Sequence, residues 1–165
     1  MLKSIADFFE RNLAPATAAG DNRHTIEVAT AALIVEVIRM DGEASVSERE
    51  TVLRAVRGKF SLDAAEAQTL IDLAEAEART ANDYYQFTSL VNKRFSQPQK
   101  ERIVELMWEV AYADAAASQY EVHLIRKVAD LLYVEHNAYI RAKLRARDAA
   151  AGGAPPVGDP TKPDL

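Results

Sequence analysis

A thirteen-residue stretch occurs twice in this chain, and the repeat constrains the fold more than any other feature. Glu36 to Glu48 reads EVIRMDGEASVSE and Glu109 to Glu121 reads EVAYADAAASQYE, at a constant offset of 73 residues. Six aligned pairs are identical: Glu36/Glu109, Val37/Val110, Asp41/Asp114, Ala44/Ala117, Ser45/Ser118 and Glu48/Glu121. Average residue usage would give about one such identity. In each copy an apolar segment of helical period runs up to the Asp, a short break follows, and a second helical segment begins before the last Glu. The duplicated unit is therefore helix, break, helix. If the two breaks meet in space, six carboxylates converge, an arrangement that only a cation or basic side chains make tolerable.

Glycine and proline are distributed so unevenly that they divide the chain. Gly152, Gly153, Gly158, Pro155, Pro156, Pro160 and Pro163 all fall in the closing stretch AAAGGAPPVGDPTKPDL. That stretch has too little apolar content to fold and is expected to be disordered over 149–165. Between Pro15 and this tail stand only Gly20, Gly42, Gly58 and Pro98, with no hairpin dipeptide and no alternating strand pattern. The fold class expected is all-α, a compact bundle of about seven to eight helices built from two related halves. An amphipathic helix over 1–15 and a linker over 16–22 precede the helical domain, 23–148. Start and stop signals place the helices at Leu2 to Leu13, His24 to Met40, Val46 to Arg57, Leu62 to Arg79, Asp83 to Arg94, Gln97 to Ala113, Gln119 to Tyr133 and Asn137 to Arg147. The second of these is apolar nearly all round, which marks a central, buried helix. In the first, Leu2, Ile5, Ala6 and Phe9 share a face that suits docking on the body of the protein, or on a partner protein.

With 165 residues the chain fits one domain that buries a substantial core without staples. It has no Cys, which excludes disulfides, thiolate metal sites and Cys nucleophiles. A net charge of −5 argues against nucleic acid as the main partner. The basic run Arg141, Lys143, Arg145 and Arg147 sits at the end of the last helix, where cations complement the helix dipole. No apolar run approaches the ~18 residues of a spanning helix, and the N-terminus lacks the form of a secretory signal. A cytoplasmic location is expected.

The acidic positions have competing explanations. Ser45-x-x-Glu48 and Ser118-x-x-Glu121 both have the form of a capping box, which accounts for both glutamates structurally. Asp41 and Asp114 stand at carboxyl ends of apolar helices, where the dipole disfavours an anion by roughly 0.3–1 kcal/mol. Each calls for a positive partner. Glu36 in LIVEVI and Glu109 in LMWEVA are embedded in apolar sequence and need compensation as well. Arg39, three residues after Glu36, and Tyr112, three after Glu109, are the local candidates, with His123, Arg126 and Lys127 on the following helix. Ion pairing and capping stand on one side of the reading, a bound divalent cation on the other. Oxygen ligands of this kind suit Ca²⁺, Mg²⁺ or Mn²⁺ better than Zn²⁺. The breaks are not EF-hand loops, since Val52 and Ile125 occupy the position of the closing Glu. Glu-x-x-His, HExxH and GxSxG do not occur, so the sequence offers no basis for an enzyme. Trp108, Tyr112, Tyr84, Tyr85 and Phe87 are expected in the core.

At the two acidic stretches the chain resembles the TerB-like tellurite-resistance family, whose members end a helix in Ala-Asp-Gly or a related motif and place Glu seven residues after the Asp. Glu105 to Val134, ELMWEVAYADAAASQYEVHLIRKVADLLYV, is similar to the second half of the single-domain cytoplasmic members, and Arg39 to Glu50 to the first. The likeness covers roughly residues 25 to 145. It implies an all-helical domain of two halves, metal binding through Asp41, Glu48, Asp114 and Glu121, and a link to tellurite resistance and stress response. Glu36 and Glu109 join that metal set from the internal repeat rather than from the family. Ala115 departs from the pattern, which often has Gly there. No His-Pro-Asp tripeptide is present, so J-domain activity is not implied.

Overall fold

The computed structural model describes residues 2–13, 23–40, 45–60, 62–79, 85–113 and 119–151. They form eight α-helices and no strand among the described residues: α1 Leu2–Asn12, α2 Arg23–Met40, α3 Val46–Lys59, α4 Ala64–Arg79, α5 Gln86–Arg94, α6 Gln97–Ala113, α7 Gln119–Leu131 and α8 His136–Ala150. The repeat is visible in these bounds to the residue. α2 ends at Met40 and α6 at Ala113, α3 begins at Val46 and α7 at Gln119, each pair separated by the sequence offset of 73.

α2 is the hub. Every residue from Thr25 to Ile38 is buried, which an all-round apolar sequence requires of a helix with neighbours on every side. It packs against α3, α4, α5, α6 and α7. α6 packs in turn on α3, α7 and α8, so the two halves interlock through α2 and α6. The core between them holds Leu33, Ile38, Ile103, Leu106 and Leu124, all at most 1% exposed. α1 closes one side of the bundle against α4 and α5. Its buried residues are Ile5, Phe8, Phe9 and Leu13. Phe8 meets Phe87 edge-on at 6.0 Å and Phe9 lies 6.1 Å from Phe95, while the Arg94 guanidinium covers the Phe9 ring and pairs with Glu10 at 2.6 Å.

α8 runs to Ala150, into the stretch expected to be disordered, while the expected linker 16–22 and residues 152–165 lie outside the described residues. Three of the other helix ends that differ from the sequence expectation have a plain local cause. α3 runs through Gly58 to Lys59, because buried Phe60 draws the chain on and its N–H reaches the Val56 carbonyl at 2.9 Å. α4 begins at Ala64 rather than Leu62. Asp63 and Glu66 form a reciprocal capping box there, at 2.7 and 3.2 Å. α5 begins at Gln86 rather than Asp83, since its first free amides are capped by a side chain from α2, described below.

α7 ends in a Schellman turn: the Val134 N–H donates to the Ala129 carbonyl at 2.9 Å and the Tyr133 N–H to the Asp130 carbonyl at 3.1 Å. Tyr133 takes the left-handed position, φ 58°, where glycine is usual, and its side chain is 77% exposed. The left-handed conformation costs a non-glycine residue roughly 1–2 kcal/mol, and glycine's extra freedom in the unfolded chain returns about half of that. Tyr133→Gly is therefore expected to stabilise the protein by about 0.5–1 kcal/mol; a melting temperature that falls would show that the exposed ring contributes contacts outweighing its strain.

Candidate functional site

The structure gives the members of the acidic set different tasks. Glu36 is fully buried. Its carboxylate accepts hydrogen bonds from the Phe87 N–H at 2.7 Å, the Thr88 N–H at 3.1 Å and the Thr88 hydroxyl at 2.8 Å. These are the first amides of α5, which have no partner within their own helix. Tyr85, the residue before α5, provides no side-chain cap. Glu36 thus acts as an N-cap delivered from another helix, with its negative charge at the positive end of the α5 dipole. Arg39, its expected partner, instead pairs with Glu75 at 3.4 Å. Both Glu36 oxygens are committed, and the proposed role as a metal ligand does not fit this geometry.

Glu109 stands at the equivalent repeat position and does something else. It lies 3.5 Å from both Arg23 and Arg102, at the middle of an alternating chain of charge. Arg23 also pairs with Glu27 at 3.0 Å, Arg102 with Glu105 at 2.8 Å, and Arg145 with Glu105 at 2.9 Å. Three guanidiniums and three carboxylates thereby tie α2, α6 and α8 together. The glutamates are the buried ends of these pairs, with side chains 6–14% exposed against 31–53% for the arginines. Tyr112 is not the partner. Arg23 had no sequence signal, because it is 86 positions away from Glu109 and meets it only once α2 and α6 pack, whereas Arg102 is seven residues before Glu109 on the same helix. Arg23 is also thirteen residues, roughly 20 Å of helix, from Glu36. All six carboxylates therefore do not converge at one point.

Glu48 completes the expected capping box: its Oε1 accepts the Ser45 N–H at 3.0 Å and its own N–H donates to the Ser45 hydroxyl at 3.1 Å. One carboxylate oxygen is used in this way. Glu121, in the first turn of α7, is buried at 6% exposure. It lines a small void with Val52 of α3 and Ile34 of α2. Val52, which shares this void with Glu121, is one helical turn beyond Glu48 on α3. His123 is exposed, as expected for a residue two positions from a buried one on a helix. Asp41, Asp114, Ala115 and Ser118, with the breaks that carry them, lie outside the described residues. Among the described residues no group of three or more His, Asp or Glu side chains is placed to hold a metal ion.

The aromatic residues behave as core. Trp108 stacks on Tyr112 at 5.7 Å and meets Tyr139 edge-on at 5.7 Å, with the Lys143 ammonium 5.2 Å from its ring centre. Phe87 is fully buried, Tyr85 packs against the core, and Tyr84 lies outside the described residues. Burial pushes the Tyr139 hydroxyl above the usual tyrosine range, partly offset by the Arg126 guanidinium; the same holds for Tyr112, offset by Arg147. No helix among the described residues is long and apolar enough to cross a membrane.

An all-helical domain in which a helical unit repeats at an offset of 73 residues is the class that these features define. The chain matches the tellurite resistance protein TerB family over residues 27–144, most of its length, and belongs to that family. Comparison with curated proteins and with solved structures gives no match. The match begins after α1 and ends within α8.

Proposed function

We propose that this protein is a non-enzymatic module that binds or senses a divalent cation in tellurite resistance and the stress response connected with it. The cation site would comprise Asp41, Glu48, Asp114 and Glu121. The observation that carries the reading is the placement of Glu121: a carboxylate 6% exposed in the first turn of α7, lining a void that it shares with Val52, one helical turn beyond Glu48. Family membership and the duplicated Asp and Glu at both breaks support it. Glu36 and Glu109 are not part of the proposed site, because helix capping and arginine pairing account for them. Oxygen donors without Cys, and with His123 turned to solvent, favour Ca²⁺, Mg²⁺ or Mn²⁺ over Zn²⁺.

Calorimetric titration with each of the four ions tests this. A cation held only by the folded state stabilises it by about 2.7 kcal/mol at a hundredfold excess over its dissociation constant. Heat of binding and a raised melting temperature are expected for at least one ion, and both are lost in Asp41→Asn/Asp114→Asn and in Glu121→Gln. Silence with every ion, or equal heat from the variants, removes the proposal. A second reading then takes its place, an interaction scaffold whose acidic motifs are only caps and ion pairs. What favours it is that Glu36, Glu48 and Glu109 all have internal partners. The apolar face of α1 is buried on the body, so a partner using that face would have to displace it.

A further inference from the structure

α2, α3 and α4 enclose a cleft of about 280 Å³ between them, partly open to solvent. Its origin is in the sequence. Ala31 on α2 and Ala67 on α4 line it with side chains that end at Cβ, leaving space that a larger residue would fill. Leu70, 1% exposed, and half-buried Leu53 make the interior apolar. The volume falls at the small end of ligand sites, which run from roughly 300 to 1,000 Å³. It suits a short hydrocarbon or aromatic body rather than the face of a folded partner.

The mouth of this cleft carries charge of a specific kind. Arg54 and Arg57, three residues apart on α3 and therefore on one face, are both exposed and both line the cleft. Neither makes an ion pair with another described residue, whereas Arg23, Arg39, Arg94, Arg102 and Arg145 all do. Glu50 is the one acid among the lining residues, so the rim has one positive charge in excess on a protein whose net charge is −5. Complementing the dipole at the end of α3 explains Arg57 in its last turn. It explains neither Arg54 nor the apolar floor beneath the pair. Guanidinium presents a planar fork of donors that matches a carboxylate.

We infer that the cleft between α2, α3 and α4 binds a small amphipathic carboxylate, its apolar body between Leu53 and Leu70 and its head group at Arg54 and Arg57. The site is separate from the proposed cation site and does not depend on it. Affinity should rise about fourfold for each methylene added to the ligand until the cleft is full.

The test is calorimetric titration of the full chain with hexanoate, octanoate and octanol below their aggregation limits, in the presence of a chelator so that cation binding contributes nothing. Octanoate is expected to bind saturably, about sixteenfold more tightly than hexanoate and at least tenfold more tightly than octanol. Arg54→Glu/Arg57→Glu, on an exposed helix face, should lose at least tenfold in octanoate affinity. Ala67→Phe fills the cleft and should abolish binding with an unchanged circular dichroism spectrum; if that variant fails to fold, the arginine pair and the octanol comparison decide. Absence of saturable binding, or equal affinity for octanol and octanoate, overturns the inference.

Discussion

Phe9→Ala is expected to lower stability by about 3–5 kcal/mol, the usual cost of truncating a buried phenylalanine, and the melting temperature by about 6–20 °C. Phe9 is fully buried, tilted against Phe95 and covered by the Arg94 guanidinium. The loss has a ceiling set by how α1 is held. Ile5, Phe8, Phe9 and Leu13 are the buried apolar anchors of α1, and ordering its backbone offsets much of what their burial contributes, so the net docking energy of α1 is modest. Once Phe9 is gone, detachment of the whole helix becomes the cheaper response. Phe8→Ala/Phe9→Ala should therefore cost little more than Phe9→Ala alone, and both should approach the melt of a chain lacking residues 1 to 13. Strictly additive losses, or a truncated chain as stable as the full one, would contradict α1 as a docked but separable part of the core.

Replacing Glu36 by alanine is expected to cost about 2–4 kcal/mol, by a different mechanism. The substitution leaves two buried amides and one hydroxyl at the start of α5 without their acceptor, at roughly 1–3 kcal/mol for each orphaned group. Removing a desolvated carboxylate returns part of this. Glu36→Gln keeps the shape but turns an amide nitrogen toward backbone donors, and should cost roughly half as much. The distinctive readout is local. Hydrogen exchange at Phe87 and Thr88, whose N–H groups Glu36 accepts, should accelerate far more than exchange in α8. A melting temperature within a degree of the parent, or loss of protection spread evenly over the bundle, would mean that α5 does not depend on this cap.

These two side chains also illustrate how sequence and structure divide the information. The helical class, the central position of α2 and the doubled unit follow from periodicity and repetition, because burial on all sides demands an apolar surface on all sides. The capping box at Ser45/Glu48 was legible too, since both partners lie within one turn. The fates of Glu36 and Glu109 were not. The repeat gives the two residues one environment in sequence, yet Glu36 caps α5 across 51 positions and Glu109 meets Arg23 across 86.

By itself, then, the sequence determined which segments are helical, the offset at which the helical unit repeats, and the family to which the chain belongs. Those properties depend on neighbours three or four residues apart or on direct repetition. Tertiary structure alone decided which buried carboxylate caps a helix, which joins an arginine network, and where two alanines on separate helices leave a cleft beneath a pair of guanidiniums. The physical reason is that the partners of a buried charge, and the volume that small side chains leave open, are set by whichever helices pack against them, and nothing local in the chain encodes that choice.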